Sequence, residues 1–432
     1  MTDRIQPVRG MSDVLPAEAG HWQALESAAR EIFSGYGYQE LRVPLVESTD
    51  LFKRSIGEFT DVVEKEMYTF VDKGGDSLTL RPEATAGMVR AAISNGLIHN
   101  NKLRVWCMGA MFRHEKPQKG RYRQFHQIDV EAIGYEGPDA DAEIILTSAR
   151  FWKKLGIARV KLQINSLGTP ASRQVYRQKL IEYFRAHESA LDEDSIRRLG
   201  GNPLRILDSK NPEMRALIDG APLLTASLDP ESVQHFAVLR AHLDAAGVSY
   251  SVNPRLVRGL DYYTRTVFEW ITDALGAQDA VCSGGRYDGL IAQLGGDPTP
   301  AIGWAMGMER VVELMKQAET PVDALNPHVY VVAVGEEAER AAVVAAESLR
   351  DAWPKLRVQV NLGGGNFKAQ FRRADKSGAV VALIIGEGEL ARGVVAVKPL
   401  RAEGAQGEST LAQLPARIGE WVATEAASGR GV

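Results

Sequence analysis

The sequence predicts an α+β protein: an antiparallel β-sheet core flanked by helices, interrupted by a helical insertion and followed by a C-terminal α/β domain. Three observations predict it. Leu103 to Phe112 is rich in apolar and aromatic residues and Gln124 to Ile133 alternates, so the pair reads as an antiparallel hairpin with a long connection. From Asn165 to about Ser251 the chain turns to charged helical stretches, Ala171 to Glu188 and Val233 to Ala246, broken by Pro203, Pro212, Pro222 and Pro230. Past the linker-like Thr320 to Pro327, strands at Val329 to Val334, Leu356 to Asn361, Val380 to Ile385 and Val394 to Val397 alternate with helices at Glu336 to Asp351 and Asn366 to Lys376. That alternation implies a largely parallel sheet. The expected division is 1–164 and 252–320 for the two parts of the core, 165–251 for the insertion and 326–432 for the last domain.

Each element follows from local chemistry. Glu18 to Ser34 carries Trp22, Leu25, Ala29, Ile32 and Phe33 on one helical stripe, which Gly35 and Gly37 end. Tyr38 to Pro44 is extended, because Pro44 keeps Val43 out of the α region; an ordinary edge strand accounts for it fully. Ser77 to Arg81 reads as a strand, Pro82 breaks it, and Ala84 to Ser94 reads as a helix with Glu83 at its N-terminus, where capping is the simplest role. On the second hairpin strand Gln127, Asp129 and Glu131 share one face, and His126, Ile128, Val130 and Ala132 share the other. A half-buried strand with polar groups on its open side lines a pocket. The connection between the two strands, from Arg113 to Arg123, is basic. Arg258 lies in a glycine-flanked turn entering a strand from Tyr262 to Trp270, and Arg265 reads as an ion-paired arginine. Ser283 to Asp288 reads as a glycine loop, able to close a pocket with Arg286 and Tyr287 or to be a plain turn. Gly303, Gly307 and Arg310 have the i, i+4, i+7 spacing of one helix face. Gly363 to Gly365 opens a helix bearing Lys368, Arg372, Arg373 and Lys376, a weak phosphate-cradle signal and more often a tight turn.

Composition narrows the options without choosing among them. With 432 residues, three domains are expected, and 51 basic against 55 acidic side chains give no global pull on nucleic acid, so any RNA contact must be local. The start has no apolar signal region and no apolar run approaches a membrane span, so a cytosolic location is expected. Cys107 and Cys282 are too few and too distant for a disulfide framework or a CxxC site, and the eight histidines never take metal-ligand spacing, so no protein-held metal is expected.

The segment Phe112-Arg113-His114-Glu115-Lys116-Pro117-Gln118-Lys119-Gly120-Arg121-Tyr122-Arg123-Gln124-Phe125-His126-Gln127 resembles motif 2 of the class II aminoacyl-tRNA synthetases, in the form of the histidyl-tRNA synthetase family. Leu256 to Glu269 resembles that family's histidine signature, Ala301 to Arg310 its motif 3, and the segment from Glu18 to Pro44 its motif 1, which implies a homodimer; the likeness runs from about Arg9 to about Leu400. The resemblance implies a class II synthetase-type sheet and the joining of L-histidine to tRNA-His, with ATP as substrate and Mg2+ on its phosphates. It implies that Glu83, Thr85 and Gln127 meet the substrate ammonium, and that Glu131, with Tyr262, Tyr263 and Tyr287, meets the imidazole. Arg113 and Arg258 then serve the α-phosphate, as catalytic cations that also adjoin the amino acid, while Gly303, Gly307 and Arg310 serve the nucleotide. Gln118, Arg121 and Arg123 are expected at the tRNA acceptor end, the insertion above that end, and the last domain on the anticodon stem. Ala84 stands where the family usually has glycine. The competing expectation is a catalytically inactive histidine-binding paralogue that regulates an ATP phosphoribosyltransferase; it would lack the Arg258 block, the basic loop or the last domain.

Overall fold

Residues 4–57, 60–117, 120–209, 211–258, 260, 262–276, 280–322, 326–401 and 405–419 are described by the structure, a computed structural model, and they divide into two compact units, Met1–Pro321 and Val322–Val432. In the first unit the helix Pro16–Gly35 buries Leu25, Ala29, Ile32 and Phe33 of the predicted stripe together with Ala28, while Trp22 is half-buried and meets the His126 ring edge-on at 5.1 Å. The chain then runs through β1 (Gln39–Glu40), β2 (Val46–Ser48), β3 (Tyr68–Val71) and β4 (Ser77–Leu80) to the helix Thr85–Ser94. The hairpin follows as β5 (Leu103–Phe112) and β6 (Gln124–Ile133), paired antiparallel from Leu103↔Ile133 to Phe112↔Gln124. Next come the helix Pro138–Lys154, β7 (Lys161–Ser166), the inserted helices and β8 (Tyr250–Val252). Then β9 (Thr264–Ile271), β10 (Ala280–Arg286), β11 (Ala301–Gly307) and the helix Met308–Gln317 complete the unit.

Eight of these strands form one sheet in the order β1-β5-β6-β11-β10-β9-β7-β8, antiparallel throughout except for parallel β1 and β8 at its two edges. Strands β2, β4 and β3 make a small antiparallel sheet beside it. One face of the large sheet is aromatic: Trp106 stacks on Phe33 at 5.1 Å, Trp304 meets Phe151 edge-on at 5.9 Å, and Trp152 meets Trp270 at 5.8 Å. Two indole N–H groups that enter this layer from the sheet have partners, Trp304 on Thr147 Oγ1 at 3.0 Å and Trp270 on Ser148 Oγ at 2.8 Å, while the buried Trp152 N–H has no hydrogen-bond partner among the described residues. The opposite face carries the site.

Several expectations change. β6 is not half-buried: Ile128 to Ile133 is buried on both faces, because helices cover one side and the site's own walls cover the other. Gly303 and Gly307 lie in a strand, not on a helix, and only Arg310 is helical; pairing with β6 and β10 on both sides decides this. Ser283 to Arg286 likewise continues β10 instead of looping. Residues 165 and 251 fall inside β7 and β8, and inserted Tyr176, Leu180, Phe184 and Leu207 share one buried cluster with Met88, Val105 and Val267 of the core.

The second unit holds β12 (Val329–Ala333), β13 (Val358–Val360), β14 (Val381–Ile385), β15 (Val394–Pro399) and β16 (Gly407–Thr410), ordered β13-β12-β14-β15-β16. Its sheet is mixed and not largely parallel: β12 pairs parallel with β13 and β14, but β14–β15 and β15–β16 are antiparallel. Gly363, Gly364 and Gly365 all take positive φ, a turn only glycine makes cheaply, and Arg373 Nη1 and Nη2 donate to the carbonyls of Leu362 and Gly364. The turn's carbonyls are thus occupied by the helix that follows it.

Candidate active site

A cavity of about 720 Å³ opens on the non-aromatic face of the large sheet, within the range of sites that take small molecules. Its floor is set by strand periodicity. Gln127 and Glu131 of β6 project to the same side as Gly307 and Gly303, their register partners on β11, and as Ala305 between them. Three small residues in alternate positions leave space above the strand. At Gly303 the reason is strict, since a Cβ would collide with the Glu131 carboxylate and the Val130 carbonyl. Gly303→Ala is therefore expected to destabilise the fold by about 1–3 kcal/mol, as overpacking does, and to displace Glu131. Denaturant unfolding of the variant checks it, and an unchanged midpoint would contradict the collision.

At one end of the cavity, polar groups converge. The Glu83 carboxylate caps the helix Thr85–Ser94 by accepting from Ala86 N–H at 3.0 Å, and it also lines the cavity, so capping and site placement coincide. Thr85 Oγ1 donates to Glu131 Oε1 at 2.7 Å, and Tyr287 Oη donates to Glu131 Oε2. Burial pushes the Glu131 carboxyl up to about 8, against the pull of those two hydrogen bonds. Burial also raises Glu83. Asp129 is more extreme: it is fully buried, both its oxygens lack a hydrogen-bond partner among the described residues, and burial, then Glu131 and Glu83, push it well above the usual range. It does not line the cavity, contrary to the open-face reading. Gln127 Oε1 is buried without a hydrogen-bond partner among the described residues. An acceptor left bare beside raised carboxyls suits an incoming cationic donor. Tyr262 and Tyr263, with rings 4.6 Å apart, form the wall.

Two arginines reach the middle of the cavity. Arg113 donates through Nε to Pro82 O at 2.8 Å and stands over the Phe125 ring at 5.4 Å, a bond that uses one of its five N–H donors. Arg258 Nη1 donates to Glu269 Oε1 at 2.9 Å, its guanidinium lies over the Tyr263 ring at 5.7 Å, and its buried Nε has no hydrogen-bond partner among the described residues. Arg310 lines the far end with Gly307 and Glu309, and the Glu309 carboxylate accepts from His126 N–H at 2.9 Å.

Other expected residues are placed differently. Arg121 lines the cavity but is ion-paired with Glu115. Arg123 donates to the carbonyls of Glu115 at 3.2 Å and Arg9 at 3.4 Å and so ties down the N-terminal segment. Gln118 lies outside the described residues. Arg265 is paired with Glu231 at 2.6 Å, as read, though near the surface. Arg286 points away from the cavity, while Tyr287 points into it. The insertion contributes Asp192, Arg198, Arg205 and Asn211 to the cavity rim. Arg205 and Arg198 reach Asp61 at 3.0 and 3.6 Å. No local spacing announces those residues. Glu269 was legible and missed: a carboxylate between Phe268 and Trp270 in an apolar strand needs a cation.

The long β5–β6 hairpin and the cavity arginines agree with the class II aminoacyl-tRNA synthetase core that the motif resemblance implies. The family model for histidyl-tRNA synthetase matches residues 10–311, and that for an anticodon binding domain matches residues 328–421. The chain is 58% identical over 402 residues to a histidine–tRNA ligase of Halorhodospira halophila, covering 93% of this chain and 95% of that protein. The apo histidyl-tRNA synthetase of S. aureus superposes with a TM-score of 0.81 at 34% identity over 96% of this chain and 99% of that one. A Bacillus halodurans protein described as an ATP phosphoribosyltransferase regulatory subunit/histidyl-tRNA synthetase, at 22% identity and TM-score 0.64 over 89% of this chain and 99% of that one, shares the fold. The chain belongs to the histidyl-tRNA synthetase family.

Proposed function

We propose that this chain is a histidine–tRNA ligase: it activates L-histidine with ATP and passes the histidyl group to the 3′ end of tRNA-His. In the first step a histidine carboxylate oxygen attacks the α-phosphorus, the bond to the bridging oxygen breaks, and pyrophosphate leaves. In the second, a hydroxyl of the terminal ribose attacks the acyl carbon and AMP leaves. Negative charge grows on phosphate oxygens in the first step, and fixed cations stabilise it without reorganisation. Arg113 and Arg258 line the cavity in which that charge would develop.

The observation that carries the reading is the buried Glu131 carboxyl, fixed by Thr85 and Tyr287 and facing a cavity with two arginines. A buried carboxyl whose oxygen accepts from a ring N–H is left unpaired by isosteres lacking that donor, a discrimination of ~10^4 or more. Glu83, Thr85 and Gln127 take the ammonium, Tyr262 and Tyr263 flank the ring, and Gly303, Gly307 and Arg310 receive the nucleotide. Glu115 and Glu309 line the same cavity and would offer carboxylate oxygens to a Mg2+ ion carried by the triphosphate, which would neutralise part of the phosphate charge. The tRNA acceptor end meets the β5–β6 connection, the anticodon stem meets residues 326–432, and the enzyme works as a cytoplasmic homodimer. Among the described residues no helix is long and apolar enough to cross a membrane.

Histidine-dependent ATP–pyrophosphate exchange tests the proposal. Exchange with histidine and not with other amino acids is expected; histidine binding without exchange would favour the regulatory alternative. A chain ending at Pro321, the boundary of the first compact unit, is expected to keep exchange and lose most tRNA charging. Equal loss of both activities in a folded truncate would contradict separable roles.

A further inference from the structure

The site's Tyr287 is preceded by a residue that touches none of the cavity and is buried more completely than any other cation of the sheet. Arg286 is 0% exposed, and all five of its N–H donors are used. Nε donates to Asp141 Oδ1 at 3.1 Å, Nη1 to Tyr135 O at 2.8 Å and Asp288 Oδ1 at 3.1 Å, and Nη2 to Gly137 O at 3.1 Å and again to Asp141 Oδ1. Asp141, also 0% exposed, has its second oxygen 2.7 Å from His235 Nε2, so that nitrogen carries the donor hydrogen. Asp288 Oδ1 also accepts from Ala301 N–H at 3.1 Å, and Tyr287 N–H donates to Ala301 O at 2.8 Å. One guanidinium thus bolts together the turn after β6, the helix Pro138–Lys154, the end of β10 and the start of β11. His235 adds a fifth element, the last inserted helix, Pro230–Ala245.

The register shift between Gly285 and Arg286 marks a bulge, a local kink that re-aims side chains. Arg286 consequently enters the helix layer, and Tyr287 enters the cavity with its hydroxyl on Glu131. Fixing the Arg286 backbone from one side fixes the reach of Tyr287 on the other. A buried guanidinium with both carboxylates in place is rigid; removal of a partner leaves an uncompensated charge.

We propose that the His235–Asp141–Arg286 network positions Tyr287, and through it the Glu131 carboxyl, so that an inserted-helix residue remote from the cavity sets affinity for the amino-acid side chain. The proposal rests on the synthetase reading above, and deepens it: His235 and Arg286 are positioning residues for histidine and not for the nucleotide. Nothing in the network faces the Gly303–Gly307 strip where the nucleotide is received, so the two substrates should separate in the kinetics.

The test is histidine-dependent ATP–pyrophosphate exchange by the full chain. His235→Phe keeps the ring and loses the donor. It is expected to raise the histidine KM by roughly tenfold, the size of coupling between residues in one network, with the ATP KM within about twofold. His235→Gln, whose amide N–H can reach Asp141, should restore most of the loss. Tyr287→Phe should raise the histidine KM by itself, and adding His235→Phe to it should raise it little further. A histidine KM unmoved by His235→Phe, equal rises for both substrates, or fully multiplying effects in the double variant would each overturn the proposal. If His235→Phe does not fold, Arg286→Lys, which keeps the charge and loses the fork, is read by the same criteria. Absence of histidine-dependent exchange in the unsubstituted protein would instead sink the synthetase reading itself.

Discussion

Arg258→Ala should lower histidine-dependent exchange by ~10^2 to 10^3, the usual cost of removing one preorganised charge from a transition state. The expectation rests on where the guanidinium is held. Glu269 takes Nη1 at 2.9 Å and the Tyr263 ring lies beneath it at 5.7 Å, so its orientation is set before any phosphate arrives. Its Nε remains buried without a partner among the described residues, a donor that an α-phosphate oxygen would satisfy. Glu269 keeps Ser283 Oγ at 3.1 Å when the arginine is removed, which limits the damage to folding. Arg258→Lys should recover only part of the rate, because an ammonium cannot hold two oxygens in a plane. The thermal midpoint measured beside exchange separates the two effects. Exchange near the unsubstituted level in a folded Arg258→Ala protein would remove this residue from the chemistry.

What was legible in the sequence divides along physical lines. The β5–β6 hairpin could be read to the residue, since Leu103 to Phe112 and Gln124 to Ile133 each give an uninterrupted ten-residue strand pattern with no proline. Glu131 and Gln127 followed from period two. Asp129 shares that period yet is sealed in, because Cys107 and Ala305 stand opposite it on the two neighbouring strands, a matter of pairing that one strand cannot announce. The Gly303–Gly307 spacing misled for a related reason: a separation of four residues is one face of a helix and also one face of a strand. Only the non-local partners β6 and β10 decide between them. The insertion's share of the cavity was least legible of all. Arg205 meets Asp61 across 144 residues of chain, a contact made by packing with no local pattern behind it.

Glu131→Gln is expected to raise the histidine KM by at least ~10^2 while leaving the ATP KM little changed, because the imidazole N–H then meets an amide in place of a carboxylate; specificity from a paired polar group is of that order or larger. The same substitution has a stability signature that owes nothing to substrate. Burial lifts the folded-state value of Glu131 to about 8 from an ordinary 4.5, even with Thr85 and Tyr287 donating to it. The folded protein therefore holds a proton that the unfolded chain releases above pH 4.5. Fewer protons bound in the unfolded state mean that stability falls as pH rises, so the Glu131 contribution is fully present below about 4.5 and is lost by about 8. Glu83 and Asp129, also raised, add slopes of the same sign, which the variant retains except for the part of the Asp129 shift that the Glu131 charge causes. The difference between the two proteins isolates Glu131: going from pH 5 to pH 8, the unsubstituted protein should lose more stability than Glu131→Gln, measured by denaturant unfolding without ligands. Parallel curves across that window would mean that the carboxyl is ionised throughout, and that the pocket meets histidine with a charge already in place.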